Sequence, residues 1–302
     1  MNYTAEIKQE IILLAKEGYS GRQIALMLGL SKSGVNRILA KKYGRKPKIL
    51  FFDLETAPSI AATFQRYNVT LTPGHILEEG GWIISASWSW LEQTTISSIC
   101  VTSQEALARD DSRIVQALVD VINEADIVVA HNGDRFDIPI VKTLALVNKI
   151  RSLKSIKSID TLKIAKKLRF NSNKLDSLGH YLGAGRKVAT TGISLWIKCL
   201  EGNREALKTM VTYNKQDVQL LKDVYLELVE FDPSGVNLGL YYDDGHEHCP
   251  TCGSTDIAPT GRTVKSGLSV YEELQCGDCG RVSRRRTAIN SKAHRKTILA
   301  KV

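Results

Sequence analysis

The chain has 302 residues, of which 43% are hydrophobic, and its formal net charge is +9. That length and apolar content can supply one sizeable core and one or two small modules. No apolar run approaches the roughly 18–20 residues that span a bilayer, and the first ten residues lack the pattern of a signal peptide, which predicts a cytoplasmic protein with no membrane partner.

The positive charge is concentrated at the two ends of the chain. Residues 1–49 contain ten Lys and Arg against three Asp and Glu, and residues 246–302 contain ten against five. Residues 50–245 instead carry a small excess of acids. Basic ends with the composition of packed domains favour a polyanionic partner, with nucleic acid as the leading candidate. The alternative is that these Lys and Arg side chains only keep the surface soluble.

Residues 1–45 are predicted to form three short helices. Apolar residues keep a helical period from Ile7 to Leu14, glycines separate the segments, and Ser20 and Ser31 suit the N-caps of the second and third helices. This layout is typical of a helix-turn-helix, and it resembles the small DNA-binding domains of resolvase-type recombinases and many regulators.

The resemblance to a helix-turn-helix implies that the third helix enters the major groove of DNA. The residues that would then face bases or phosphates are Ser31, Lys32, Ser33, Asn36, Arg37, Lys41 and Lys42. The alternative is a three-helix packing module with no role in DNA binding.

Residues 46–235 contain strand-like runs followed by helical patterns, which predicts an α/β domain with a mixed sheet flanked by helices. The predicted strands are 48–55, 81–90, 94–101 and 126–132, and the predicted helices are about 104–124, 137–149, 160–168, 174–182 and 203–231. Trp82, Trp88 and Trp90, together with Cys100 and Cys199, are predicted to fill the core.

Residues 246–302 carry two pairs of cysteines, in CPTCG and CGDCG, with 23 residues between the pairs. Each pair has the C-x2-C spacing and the following glycine of a zinc knuckle. We therefore predict a small β zinc ribbon with one structural Zn²⁺ held by Cys249, Cys252, Cys276 and Cys279. His246 and His248 are alternative ligands, less well placed because they lie so close to Cys249. The basic tail at 281–296 suits a phosphate backbone.

Two carboxylates end the first strand-like run, ILFFDLET. Because side chains at i and i+2 point to the same face of a strand, Asp53 and Glu55 share a face. Two adjacent acids repel each other unless a cation lies between them, and oxygen ligands suit Mg²⁺ or Mn²⁺. A strand end exposed to solvent can also carry such a pair without any metal.

Two further motifs carry acids at informative positions. Asp137 ends HNGDRFD at the start of a predicted helix, where it is either a metal ligand or an N-cap, and Asp134 in the preceding turn is a rival carboxylate. Tyr213 and Asp217, in YNKQD, lie four residues apart on one face of a long helix. An acid on the core-facing side of a helix is costly unless it is paired, so Asp217 is a metal candidate.

The motifs FFDLET, HNGDRFD and YNKQD have the order and spacing of the three exonuclease motifs of the DEDD superfamily. These proteins are 3′→5′ exonucleases with the ribonuclease H-like fold, and a Tyr four residues before the last Asp resembles the DEDDy branch. The resemblance covers about residues 48–231. The chain also resembles stand-alone predicted nucleases of bacteria and phages.

The resemblance implies a two-metal active site with two Mg²⁺ or Mn²⁺ ions. It implies that Asp53, Glu55, Asp137 and Asp217 hold the ions and that the Tyr213 phenol orients a water. Asn132 and Phe136 would position the terminal nucleotide. Asp160, in a following D-T pair, is interpreted first as a helix cap.

Two other functions fit parts of the sequence. A transposase or recombinase can combine a helix-turn-helix, a ribonuclease H-like core and a zinc ribbon, but the D-x-E pair with Y-x3-D disfavours its D-D-E set. A non-catalytic DNA-binding regulator on a nuclease scaffold is disfavoured because all five motif residues are present. The helix-turn-helix favours DNA over RNA as the partner, and replication or recombination proteins are further candidate partners.

Overall fold

The computed structural model describes residues 3–17, 19–43, 46–64, 67–150, 153–155, 157–186, 192–232, 235–242 and 244–299. The chain divides into two compact units. One is Lys48–Ser234, and the other combines Met1–Pro47 with Gly235–Val302. In these described ranges, no helix has both the length and the apolar character needed to cross a membrane.

The N-terminal segment contains three helices, α1 (Ala5–Lys16), α2 (Gly21–Met27) and α3 (Lys32–Tyr43). Ser20 caps α2, as predicted, and also forms a capping box with Gln23. The left-handed φ of 62° at Gly29 follows the end of α2, whereas Gly18, the other predicted break, lies outside the described residues. The small core of this segment consists of Ile11, Ile24, Ala25 and Val35.

The unit Lys48–Ser234 is built on a five-stranded mixed sheet. The strands of this unit are β1 (Ile49–Thr56), β2 (Ile60–Ala61), β3 (Ile76–Glu78), β4 (Ile83–Trp90), β5 (Ser97–Cys100), β6 (Ile127–Ala130) and β7 (Lys157–Asp160). The order in the sheet is β5-β4-β1-β6-β7, and β2 and β3 form a separate pair. β1 pairs antiparallel with β4 and parallel with β6, so the antiparallel and parallel parts of the sheet meet at β1.

Helices pack on both faces of this sheet. They are α4 (Ser103–Ala108), α5 (Ser112–Glu124), α6 (Asp137–Val147), α7 (Thr161–Ala165), α8 (Leu175–Tyr181), α9 (Ile193–Leu200) and α10 (Arg204–Leu228). On one face of β1, Phe52 shares a buried core with Leu118 of α5. On the other face, the Phe51 ring meets the Tyr225 ring of α10 at 5.1 Å. The predicted mixed sheet flanked by helices is confirmed.

Small side chains let α10 lie close to the sheet. Ser85, Ser87 and Ser89 alternate along β4 and are all buried. Ser85 and Ser87 pair with Glu55 and Asp53 of β1, so they lie on the sheet face that α10 covers. A serine hydroxyl adds far less volume than the branched side chains usual in a central strand.

The prediction of one helix over 104–124 is wrong. α4 ends at Ala108, and Arg109 takes a left-handed φ of 57° before α5 begins at Ser112. The Arg109 guanidinium stabilises this break between the helices by donating hydrogen bonds to the Glu78 carboxylate and to the carbonyl of Leu200. Such tertiary contacts leave no periodic signal in the local sequence. β7 and α9 were also not predicted.

The predicted core residues lie where expected. Trp82 and Cys199 are buried, and Trp88, Trp90 and Cys100 pack against the same core. Burial raises the pKa of the Cys100 thiol to about 11 and that of Cys199 to about 12. Both side chains are therefore neutral packing groups at physiological pH.

The C-terminal segment, which begins at Gly235, forms a three-stranded antiparallel sheet and a short helix. The elements are β8 (Ile257–Ser266), β9 (Ser269–Cys276), β10 (Val282–Arg284) and α11 (Lys292–Thr297), with the strand order β10-β9-β8. Among its described residues, only Leu238 and Leu274 are buried apolar side chains apart from two cysteines. The sheet therefore has a very small hydrophobic core of its own.

Candidate active site

Three carboxylates converge where β1 ends under α10. Oxygen atoms of Asp53, Glu55 and Asp217 all lie within 4.8 Å of one another, and we call these three residues the carboxylate cluster. Asp53 and Glu55 project from the same face of β1, as their spacing predicts. Asp217 reaches them from α10 and is almost completely buried. The buried run Ile49–Phe52 holds the first of these acids on a rigid central strand.

Asp137 approaches β1 at Leu54, between the two strand acids, but it is not one of the three carboxylates of the cluster. It is the first residue of α6 and is 2% exposed, whereas Phe136 occupies the cap position. The interpretation of Asp137 as an N-cap is therefore wrong. Burial raises the pKa of the Asp137 carboxyl to about 7, although backbone hydrogen bonds from its own N–H and from Leu54 oppose the shift. Its Oδ1 finds no hydrogen-bond partner among the described residues.

We expect Asp137 to make the magnesium-free protein less stable as the pH rises. Its folded-state pKa of about 7 lies above the ordinary 3.8, so its contribution to stability is complete below that ordinary value. The contribution is lost as the pH rises towards 7, by about 2–4 kcal/mol. Urea unfolding of the wild type and of Asp137→Asn, with zinc but without magnesium, measures this loss at about pH 5 and about pH 7.5. Equal pH dependence in both proteins would contradict the assignment.

The loop between β6 and α6 is held by a second buried carboxylate. Asp160 Oδ1 accepts hydrogen bonds from the backbone N–H groups of Leu162, at 3.0 Å, and of Asn132, at 2.9 Å. Asp160 therefore caps α7, as predicted, and also fixes the loop. A Cβ at Gly133 would lie 2.4 Å from the Ala130 Cβ, so the loop requires glycine there.

The two predicted substrate-positioning residues lie on this loop. Asn132 adopts a left-handed φ of 68°, a conformation that asparagine tolerates better than most residues. Phe136 is 42% exposed directly before Asp137. The neighbouring His131 anchors the loop through Thr161 Oγ1, at 2.9 Å, and the carbonyl oxygen of Asn173, at 3.0 Å.

The remaining predicted residues are also placed by the structure. Tyr213 lies one turn before Asp217 on α10, and its ring meets the Trp196 ring edge-on at 6.0 Å. Asp134, the rival carboxylate, accepts a hydrogen bond from Ser158 Oγ at 2.6 Å and forms an ion pair with Lys163. Asp134 is thus engaged away from the carboxylate cluster.

Sequence reasoning missed Asn214. Its side-chain nitrogen donates a 2.7 Å hydrogen bond to Asp53 Oδ2, and the residue is completely buried. Asparagine favours helix caps and turns, so its preferences give no reason to expect a tertiary contact from a position inside a helix. Only the pairing of α10 with β1 shows the contact.

The residues present fit a divalent cation. The three clustered carboxylates repel one another. In addition, the buried Asp137 Oδ1 accepts no hydrogen bond from any residue that the structure describes. A cation removes both penalties. The donor set is entirely carboxylate oxygen, which suits Mg²⁺ or Mn²⁺ rather than a soft metal.

The four C-terminal cysteines also converge, and we call Cys249, Cys252, Cys276 and Cys279 the thiol cluster. Their sulfurs lie within 4.8 Å of one another, with 3.6 Å between Cys249 and Cys279 and 3.6 Å between Cys252 and Cys276. Four sulfurs at about 2.3 Å from a tetrahedral Zn²⁺ would be about 3.8 Å apart. The thiol cluster therefore fits zinc in size and chemistry.

The histidines considered as alternative zinc ligands have other surroundings. His248 places Nδ1 2.8 Å from the carbonyl oxygen of Gly253 and Nε2 2.9 Å from Asp244 Oδ1, and it stacks on the Tyr242 ring. Both nitrogens are thereby engaged outside the thiol cluster. His246 is exposed.

The residues predicted to face DNA lie on or just before α3. Five of them are exposed, namely Ser31, Lys32, Ser33, Asn36 and Arg37. Ser31 Oγ also accepts the Gly34 N–H at 3.1 Å, which makes it a cap for α3. Lys41 and Lys42 belong to α3, but their side chains lie outside the described residues.

A mixed sheet covered by helices on both faces, with acids gathered at its central strand, defines an α/β protein suited to binding a divalent cation. Residues 79–229, which are half of the chain, match the profile of the RNase H superfamily. The chain belongs to the RNase H superfamily. The matched range includes Asp137, Tyr213 and Asp217 and begins after β1.

Among solved structures, the chain is similar to the family B DNA polymerase from the hyperthermophilic archaeon Pyrobaculum calidifontis. The identity is 15% and the TM-score is 0.47, over 65% of this chain and 26% of the polymerase. The chain thus corresponds to about a quarter of the polymerase's length. Comparison with curated proteins found no match.

Proposed function

We propose that the protein is a metal-dependent 3′→5′ exonuclease that hydrolyses phosphodiester bonds in nucleic acid, with DNA favoured over RNA. The observation that carries this proposal is the convergence of Asp53, Glu55 and Asp217 in a chain of the RNase H superfamily. The order of the three motifs, with Tyr213 one turn before Asp217, supports the DEDDy subtype.

Each side chain has a role in this proposal. Asp53, Glu55, Asp137 and Asp217 would hold two Mg²⁺ or Mn²⁺ ions, which would supply positive charge at the scissile phosphate and lower the pKa of a bound water. The Tyr213 phenol, one turn before Asp217, would orient a water by hydrogen bonding. Asn132 and Phe136, on the loop fixed by Asp160, position the terminal nucleotide.

One assay tests the reaction and its direction. The protein is incubated with Mn²⁺ and a single strand labelled at its 3′ or its 5′ end, and then again with EDTA. Immediate release of the 3′ label, with stepwise shortening of the 5′-labelled strand, is the expected result. Strand joining or sequence-specific nicking would favour the transposase or recombinase. Binding without cleavage would favour the regulator.

We propose that the N-terminal segment acts as a helix-turn-helix that delivers the nuclease to duplex DNA. Lys32→Ala, on the exposed face of α3, should weaken duplex binding. It should also lower by about one the slope of the logarithm of the binding constant against the logarithm of the salt concentration, because one fewer counterion is released. Fluorescence anisotropy at several salt concentrations measures both quantities. Lys8→Ala, an exposed lysine of α1 with the same charge, is the control, and equal effects of both changes would contradict the proposal.

The thiol cluster is proposed to hold one structural Zn²⁺ in a zinc ribbon, and the basic tail beyond it to contact phosphates. Arg285 is neutralised within the fold by Glu247, at 2.9 Å, and Glu272, at 2.7 Å. Arg284 instead lies over the Tyr271 ring at 3.9 Å and is exposed. Stacking restrains the Arg284 side chain without removing its charge, so it is the better phosphate ligand.

A further inference from the structure

A line of two hydrogen bonds links three elements at the carboxylate cluster. Ser85 of β4 donates from Oγ to Asn214 Oδ1 at 3.1 Å, and Asn214 of α10 donates from Nδ2 to Asp53 Oδ2 at 2.7 Å. Ser85 and Asn214 have no exposed surface. The line therefore runs from β4 through α10 to the partly exposed acid on β1, and its Ser85–Asn214 bond is shielded from water.

The chemistry of the three groups fixes which way the amide points. The Asp53 carboxylate only accepts hydrogen bonds when it is ionised, so the amide nitrogen of Asn214 must face it. The amide oxygen then faces Ser85, whose hydroxyl can donate to it. A reversed amide would place an oxygen against the carboxylate, so Asp53 selects the orientation of the amide and the Ser85 bond restrains its rotation.

An amide at this position holds Asp53 without neutralising it. A lysine or arginine there would compensate the charge of the carboxylate cluster and compete with a divalent cation. A neutral donor restrains rotation of the carboxylate while leaving its full negative charge. Asn214 and Asp217 are three residues apart on α10, so the same bond also ties the Asp217 turn to β1.

We propose that Asn214 is a positioning residue that, oriented by Ser85, holds the Asp53 carboxylate in the rotation required for divalent-cation binding. This inference rests on the proposed metal-dependent nuclease function. Groups that orient metal ligands in this way typically change metal affinity or activity by about 10- to 100-fold when they are removed.

The experiment compares three variants of the zinc-loaded full chain. Asn214→Leu keeps most of the side-chain volume but removes both hydrogen bonds, and Ser85→Ala removes only the bond that orients the amide. Ser87→Ala is the matched control, because Ser87 is buried on the same strand face and its Oγ has no hydrogen-bond partner among the described residues. Circular dichroism verifies that each variant is folded.

The main measurement is the dissociation constant for Mn²⁺, obtained by electron paramagnetic resonance. We expect Asn214→Leu to weaken Mn²⁺ binding by about 10- to 100-fold, Ser85→Ala by less than about tenfold, and Ser87→Ala to have no effect. We also expect KM for a single strand to stay unchanged, and kcat of Ser85→Ala to recover at high Mn²⁺. A purely structural role would not produce that recovery.

The outcomes separate this inference from the function on which it rests. If the wild type binds Mn²⁺ and both Asn214→Leu and Ser85→Ala bind it equally well, the positioning role is wrong and the nuclease function stands. If Asn214→Leu does not fold, Ser85→Ala decides alone, and wild-type affinity in that variant overturns the inference. If the wild type binds no Mn²⁺, both proposals fail.

Discussion

Replacing Asp53 by Ala, or Asp217 by Asn, should abolish phosphodiester hydrolysis while duplex binding survives. Each change removes a negative charge from the carboxylate cluster, whose members lie within 4.8 Å of one another. A bound cation contributes several kcal/mol of transition-state stabilisation, so its loss should lower the rate by about 10³-fold or more. The measurement is the rate of nucleotide release from an end-labelled single strand at saturating Mn²⁺.

Asp223→Asn is the matched control for this prediction. Asp223 lies on the same helix as Asp217, but its carboxylate accepts hydrogen bonds from the exposed Gln219 side chain, at 2.9 Å. The same chemical change there should leave the rate unchanged. Full activity in both Asp53→Ala and Asp217→Asn would show that the acids at the end of β1 do not form the catalytic site.

Removing the metal from the thiol cluster should unfold the C-terminal sheet. Its described buried apolar side chains outside that cluster are Leu238 and Leu274, and each contributes only about 1.5–3 kcal/mol by burial. Zinc bound by four thiolates contributes about 10 kcal/mol or more to the folding of small metal-dependent domains. Cys252→Ser should therefore release the zinc and expose residues 235–299 to proteolysis, as measured by metal content and mass spectrometry of the fragments.

Cys100→Ser distinguishes loss of zinc from loss of a thiol elsewhere. Cys100 belongs to β5, and burial among apolar residues raises the pKa of its thiol to about 11. This variant should keep one zinc per chain and resist proteolysis in the C-terminal segment. If Cys252→Ser retains both properties, the thiol cluster does not stabilise the sheet through a metal.

The strands and helices that were predicted well are those with strong local patterns. The apolar run of β1 and the long apolar stripe of α10 each identify their element without tertiary information. The spacing of Asp53 and Glu55 likewise determines that they share a face. The prediction that Asp217 acts together with those two acids comes from the family resemblance, because no sequence periodicity relates α10 to β1.

The elements that were missed depend on contacts with distant parts of the chain. β7 has only four residues and forms because it pairs with β6, which adds it to the parallel edge of the sheet. The break at Arg109 is stabilised by Glu78, 31 residues earlier. Asn214 contacts Asp53 across 161 positions in the sequence. Hydrogen bonds of this range depend on the assembled fold, which propensities do not encode.

The serines of β4 have a consequence for how the site tolerates change. Because Ser85, Ser87 and Ser89 lie beneath α10, the gap between helix and sheet is set by side-chain volume. Ser87 pairs with Asp53, and a bulky residue in its place would push α10 away from the sheet. This displacement would increase the distance between Asp217 and the two acids of β1. Catalysis could thus be lost through a purely apolar substitution that leaves every acid in the chain, and this strand is a place to look for inactive relatives with intact motifs.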